Sequence, residues 1–239
     1  MTGINLEKRA EKVSIILAKR NVTKVPPIRV GLALDISGST QDMYRQGIMQ
    51  ETVDRLLAVA MKFDDNGELD MWSFTEGFDR LETANAADYG GYVKRAILEN
   101  RKIEKWGGTA YAPVMNDMMN HYFSPVVTES KASGLGGLFG KKVTTTAAAS
   151  TAPAMGIIIT DGANNDRSAA ARVMRDAQKQ NIYWQMVGVG PEYYFSFIKE
   201  MADELPNVGF INLNSLQMTD EQLYEQVVGE EFCEWLKKF

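Results

Sequence analysis

The sequence predicts a doubly wound α/β fold, with a mostly parallel sheet flanked by helices. Three observations carry this. Arg29-Val30-Gly31-Leu32-Ala33-Leu34 and Met155-Gly156-Ile157-Ile158-Ile159-Thr160 are continuous apolar runs, the pattern of strands buried on both faces of a parallel sheet. Helical periodicities alternate with such runs along most of the chain. Each of the two runs ends in an aspartate, Asp35 and Asp161. Neighbouring parallel strands end at the same edge, and ligands of open α/β sheets sit there.

The elements follow in order. Residues 5 to 20 read as an amphipathic helix with Leu6, Val13, Ile16 and Leu17 on one side. Pro26-Pro27 closes this N-terminal helical extension, residues 1–27, and opens the main domain, 28–239. After the first strand, residues 42 to 62 carry Met49, Val53, Leu56, Leu57 and Ala60 at helical spacing. Residues 68 to 74 and 78 to 81 form a hairpin turning at Gly77. Pro113 sits in the first turn of a helix over 111 to 122. Strands are expected at 155 to 160, 182 to 189 and 208 to 213, and helices at 167 to 180 and 192 to 202. A last helix, 219 to 238, sets Leu223, Val227, Phe232, Trp235, Leu236 and Phe239 along one side. The stretch 129 to 153 is rich in glycine, threonine and alanine and cannot bury enough surface to offset chain entropy. It reads as a flexible insertion, with docking of its Leu135, Leu138, Phe139, Lys141 and Lys142 on a partner or lipid head groups as the alternative.

Composition narrows the function. An apolar share of 45% supplies a core, and a formal charge of -5 argues against a general nucleic-acid footprint. The single cysteine, Cys233, forms no internal disulfide, which suits a reducing compartment and a cytoplasmic location. No stretch reaches the ~20 apolar residues of a membrane span.

The chemistry lies at the strand ends. Asp35-Ile36-Ser37-Gly38-Ser39 alternates oxygen side chains, and residues two apart in an extended stretch point the same way. Gly38 lets the backbone turn into the next helix. With Thr109 of Gly107-Gly108-Thr109, and with Asp161, this makes five oxygen side chains without nitrogen or sulfur. Such a set suits a hard divalent cation: Mg²⁺, or Mn²⁺ or Ca²⁺. Few carboxylates leave the cation under-neutralised and a coordination position open to an outside anionic oxygen. The bland alternative is that Asp35 and Ser37 only cap the following helix. His121 is the only histidine, which excludes a histidine-rich metal site. Cys233 reads as core. Asp64-Asp65-Asn66-Gly67-Glu68 lacks full calcium-loop spacing and reads as a turn. Asp166 reads as the cap of the helix beginning near 167 or as a residue near the metal rim.

The motif Asp35-Ile36-Ser37-Gly38-Ser39, Gly108-Thr109 and Thr160-Asp161-Gly162 resembles the metal-ion-dependent adhesion site (MIDAS) of von Willebrand factor A (vWA) domains, over about residues 28 to 239. Phe63 to Phe74 and Gly107 to Met115 resemble the bacterial and phage TerF-like branch, associated with tellurite and toxic-cation resistance. The resemblance implies direct coordination by Ser37 and Ser39, by Thr109 in the ligand-bound form, and water-mediated roles for Asp35 and Asp161. Thr40-Gln41 departs from the family, where a bulky apolar residue often follows the second serine. The expected function is a divalent-cation-dependent protein-interaction module, not an enzyme. An Asp or Glu of a protein partner completes the metal shell, in a stress-response or tellurium-resistance setting. The alternatives are a Mg²⁺-dependent phosphohydrolase, or a scaffold with a structural metal. Phosphohydrolases of this kind need a second acid two residues after the first aspartate, and Ser37 stands there.

Overall fold

The computed structural model describes residues 2–64, 67–125, 127–131, 142–146, 150–213 and 218–239. In chain order the main elements are α1 (Thr2–Lys19), β1 (Arg29–Asp35), α2 (Gln41–Arg45), α3 (Ile48–Phe63), β2 (Asp70–Phe74), β3 (Phe78–Arg80), α4 (Ala112–Phe123), β4 (Val127–Lys131), β5 (Lys142–Thr146), β6 (Ala154–Thr160), α5 (Arg167–Asp176), β7 (Ile182–Gly188), α6 (Ser196–Glu204), β8 (Val208–Asn212), α7 (Asp220–Val227) and α8 (Glu230–Leu236). The main sheet has the order β3-β2-β1-β6-β7-β8. Its strands pair in parallel except at the β2–β3 hairpin. Strand order reverses between β1 and β6, so the ends of these two strands form the switch point of the sheet.

Each face of the sheet carries its own core. Val30, Leu32 and Leu34 of β1, with Met155, Ile157 and Ile159 of β6, join the cluster that holds the apolar sides of α1, α3, α7 and α8. The alternate residues Ala33, Ala154 and Ile158 join the cluster under α4, α5 and α6. Gly31 and Gly156 stand opposite each other in the β1–β6 register. A Cβ at Gly31 would lie 2.5 Å from the Tyr122 hydroxyl, and one at Gly156 would lie 2.4 Å from Cζ3 of Trp184. These two glycines admit the large side chains that seat on the central strands.

The predicted stripes are the buried ones. Leu6, Val13, Ile16 and Leu17 of α1, and Met49, Val53, Leu56, Leu57 and Ala60 of α3, are all buried. The helix α1 lies on α3 and α7, where Arg9 Nε donates to Asp220 at 3.1 Å and Arg20 donates to the Glu225 carbonyl at 2.8 Å.

Several elements differ from the sequence reading. The helix expected over 42 to 62 is two, α2 and α3. Gly47 between them adopts φ 76°, a conformation open to glycine and costly for other residues. The last helix is also two, divided at Gly229, where a Cβ would sit 3.0 Å from the Gln226 carbonyl oxygen. Phe239 is exposed, packed edge-on to Trp235. A π-helical turn at Lys94–Leu98 carried no sequence signal. Around the stretch read as a flexible insertion, β4 and β5 pair antiparallel, with Glu129 opposite Thr144. Val143 and the run Thr144-Thr145-Thr146 are β-branched and suit a strand. The rest of that insertion, 132–141 and 147–149, lies outside the described residues, as do Asp65 and Asn66 of the acidic turn. Among the described residues no helix is long and apolar enough to cross a membrane.

Candidate metal centre

The site grows from the ends of β1 and β6. Asp35 is the last residue of β1 and is fully buried. Its Oδ1 accepts the Ser37 N–H at 2.8 Å, and its Oδ2 accepts the Thr160 hydroxyl at 2.7 Å. Ser37 Oγ and Ser39 Oγ share a hydrogen bond of 3.2 Å. Ser39 Oγ donates to Asp161 Oδ1 at 3.0 Å. Asp35, Ser37, Ser39 and Asp161 therefore form one continuous oxygen cluster, buried at Asp35 and exposed at Ser39.

Thr109 lies on a loop tied to both strand-end loops. Gly38 N–H donates to the Gly107 carbonyl at 2.9 Å, and Asn165 N–H donates to the Thr109 carbonyl at 2.8 Å. Trp106 holds φ 71°, its N–H bonded to the Ile36 carbonyl at 2.7 Å and its ring edge-on to Tyr44. The Tyr44 hydroxyl donates to the Asp35 carbonyl at 3.0 Å. The backbone around Asp35 is thus held from two sides, and the Thr109 loop is placed between the two aspartate loops.

Burial pushes the Asp35 carboxyl up to about 6, against the opposing pull of the Ser37 and Thr160 hydrogen bonds. Burial also raises the Asp161 carboxyl, against its bond from Ser39. Among the described residues, neither carboxylate has a lysine or arginine partner. Two carboxylates and three hydroxyls are hard donors, and they fit an oxygen-seeking divalent cation. This is not a cage of carboxylates: among the described residues no three Asp, Glu, His or Cys side chains group at metal-holding distance.

Comparison with known proteins decides the family. Residues 27–131 and 139–239 match the vWA-TerF-like family, described as the vWA found in the TerF C terminus. The chain belongs to this family. The Bacillus subtilis (strain 168) "Uncharacterized protein YcbR" is 33% identical over 243 residues, which takes in 100% of this chain and 88% of YcbR. Among solved structures, proximal thread matrix protein 1 from the mussel byssus, with a zinc-occupied MIDAS motif, matches at TM-score 0.55 and 15% identity. That match covers 87% of this chain and 46% of the byssus protein. Manganese-loaded TRAP of Plasmodium vivax matches at TM-score 0.50 and 16% identity, over 83% of this chain and 72% of TRAP. The ArnB paralog VWA2 of Sulfolobus acidocaldarius matches at TM-score 0.50 and 16% identity, over 86% of this chain and 45% of VWA2. This chain spans about half the length of the byssus protein and of VWA2.

This vWA domain places some residues differently from the sequence reading. Asp166 caps α4, not the adjacent α5: its Oδ1 accepts the Tyr111 N–H at 3.0 Å and its Oδ2 the Ala112 N–H at 2.7 Å. Asn164 Nδ2 donates to the same carboxylate at 2.6 Å. Asp166 therefore ties the loop after β6 to the residues that follow Thr109. Tyr111 adds a second tie, its hydroxyl donating to the Gly162 carbonyl at 2.6 Å. Glu76 was also missed. It stands over Gly107-Gly108, its Oε1 2.5 Å from where a Gly108 Cβ would be. That Gly-Gly pair was a visible signal of close approach, without a hint of what approaches. His121 lies in the last turn of α4, its Nε2 3.2 Å from Asp70, away from the cluster. Cys233 is buried, and burial raises its thiol.

Proposed function

We propose that this chain is a divalent-cation-dependent protein-interaction module. Asp35, Ser37, Ser39, Thr109 and Asp161 would hold the cation, Mg²⁺ first, with Mn²⁺ and Ca²⁺ suited to the same oxygens. When bound, the cation supplies a positive centre for an Asp or Glu carboxylate of a partner. The protein's own part is positional. Asp35 is fixed by Ser37 N–H and Thr160, and the serines are presented by the turn at Gly38.

One observation carries this reading: a buried carboxylate without a cationic partner among the described residues, joined through two serine hydroxyls to a second carboxylate, and opening to solvent at Ser39. A buried carboxylate is costly unless something positive compensates it. The byssus protein with its zinc-occupied MIDAS motif, and manganese-loaded TRAP, support a divalent metal as the ligand of this fold. The proposal is non-enzymatic. At the place where a phosphohydrolase needs its second acid, Ser37 shares its hydroxyl with Ser39. The setting we propose is cytoplasmic, in a stress system of the toxic-cation-resistance type that the TerF resemblance implies.

A pull-down from the native host with Mg²⁺ tests the reading. A specific partner should be captured, lost in chelator, and bound at least about tenfold more weakly by Thr109→Ala, the loss of a hydrogen-bonding or coordinating contact to a charged group. A partner that binds equally in chelator and to Thr109→Ala would contradict it.

A further inference from the structure

The strand β8 ends the main sheet, and its outer edge borders a groove. Two adjoining cavities of about 570 and 420 Å³ share Ala202, Asp203, Val208 and Glu231. The groove runs along Val208-Gly209-Phe210, between the end of α6 and the outer side of α8. It shares no residue with the Asp35 cluster.

Backbone direction follows from the ladder. Trp184 N–H donates to the Asn207 carbonyl, and Leu213 N–H donates to the Gly188 carbonyl. Successive residues of a strand alternate in the side to which they offer N–H and C=O. Odd-numbered residues of β8 therefore bond to β7. Phe210 turns both its N–H and its C=O outward, and Val208 turns its C=O outward. A guest strand pairs with groups spaced in this way.

The walls define the guest. Leu205 and Trp235 make an apolar floor, with Trp235 only 5% exposed. Asp203 stands on the α6 side, and Glu230 and Glu231 stand on the α8 side. None of these three carboxylates has a lysine or arginine partner among the described residues. Lys199, paired with Glu192, and Lys238 also line the groove, but the three carboxylates outnumber them and flank both faces of any strand laid along the edge.

We propose that β8 is a docking edge for an extended, lysine- or arginine-rich segment of another protein, which adds a strand beside Phe210 and sets its cations against Asp203, Glu230 and Glu231. Charge complementarity selects this occupant. An acidic segment is repelled from both sides, and a purely apolar one leaves the carboxylates uncompensated. The docking is independent of the metal.

The test titrates the whole chain with acetyl-Lys-Val-Lys-Thr-Lys-Val-Lys-amide at low salt, followed by amide and indole NMR signals. The expected result is shifts at residues 208 to 212 and at the Trp235 indole, unchanged by chelator. Asp203→Asn with Glu231→Gln, both at exposed positions, should weaken binding by about fivefold or more through the lost charge pairs, with melting temperature unaltered. The same peptide with glutamate for lysine should not bind. Three results would each overturn the proposal: no binding of the lysine peptide, shifts elsewhere on the surface, or equal binding by the neutralised variant.

Discussion

Replacing Asp35 with asparagine tests the origin of the site's charge demand. The side chain is fully buried, and burial pushes its carboxyl from 3.8 up to about 6. A rise of about 2 pH units corresponds to about 3 kcal/mol of folding free energy. The sign follows from which state holds the proton more tightly. The folded state does, so Asp35's contribution to metal-free stability is greatest below about pH 4 and is lost as pH rises through about 6. Asparagine carries no charge, keeps an acceptor for Ser37 N–H, and offers a donor to the Thr160 hydroxyl. In chelator at pH 7.5, Asp35→Asn should therefore be more stable than the parent by about 1–3 kcal/mol, which for a chain of this size is about 3–10 °C in melting temperature. The gap should close as pH falls from 6 to 4, because the parent's carboxyl is then neutral. The difference between the two profiles isolates Asp35 from Asp54, Asp79 and Asp161, whose carboxyls burial also raises. The assay is thermal or urea unfolding at several pH values. A variant less stable than the parent at pH 7.5, or a gap independent of pH, would refute the reasoning.

Three other outcomes follow. Gly156→Ala should cost about 1–3 kcal/mol by overpacking, because the new methyl meets the buried Trp184 ring at 2.4 and 2.6 Å; urea unfolding reads this, and an unchanged midpoint would show that the ring moves freely. Asp166→Ala removes the acceptor of two N–H groups at the start of α4 and should cost about 1–2 kcal/mol. It should also weaken Mn²⁺ binding by loosening the Thr109 loop, whereas Asp166→Asn restores part of both; full affinity in Asp166→Ala would free that loop from this tie. Trp106 packs on Tyr44, whose hydroxyl bonds the Asp35 carbonyl, so its fluorescence should change on metal addition and stay constant in Asp161→Ala.

The fold and the gathering of Asp35, Ser37, Ser39 and Asp161 at one sheet edge were legible for different reasons. The strands β1 and β6 are buried on both faces, so their apolar runs announced them, and the aspartates that end them announced the site edge. The stripes of α1 and α3 were legible because one face of each meets the core. Breaks were harder to read. Gly47 and Gly229 are visible in the sequence, but the apolar spacing continues across them, so periodicity alone fuses α2 with α3 and α7 with α8. Asp166 sits where a cap of α5 belongs, yet its carboxylate turns to α4, a contact fixed by tertiary packing rather than by local sequence. Glu76 was invisible for the same reason, reaching Gly108 only through the β2–β3 turn.

Calorimetric titration of the whole chain with Mg²⁺ and Mn²⁺ tests the central claim most directly, beside Asp35→Ala and Asp161→Ala. One cation per chain should bind the parent weakly, because hydroxyls neutralise little of its charge. Both variants should remain folded and bind none. Binding of equal strength in both variants, or none in the parent, would contradict a cation held by Asp35, Ser37, Ser39, Thr109 and Asp161.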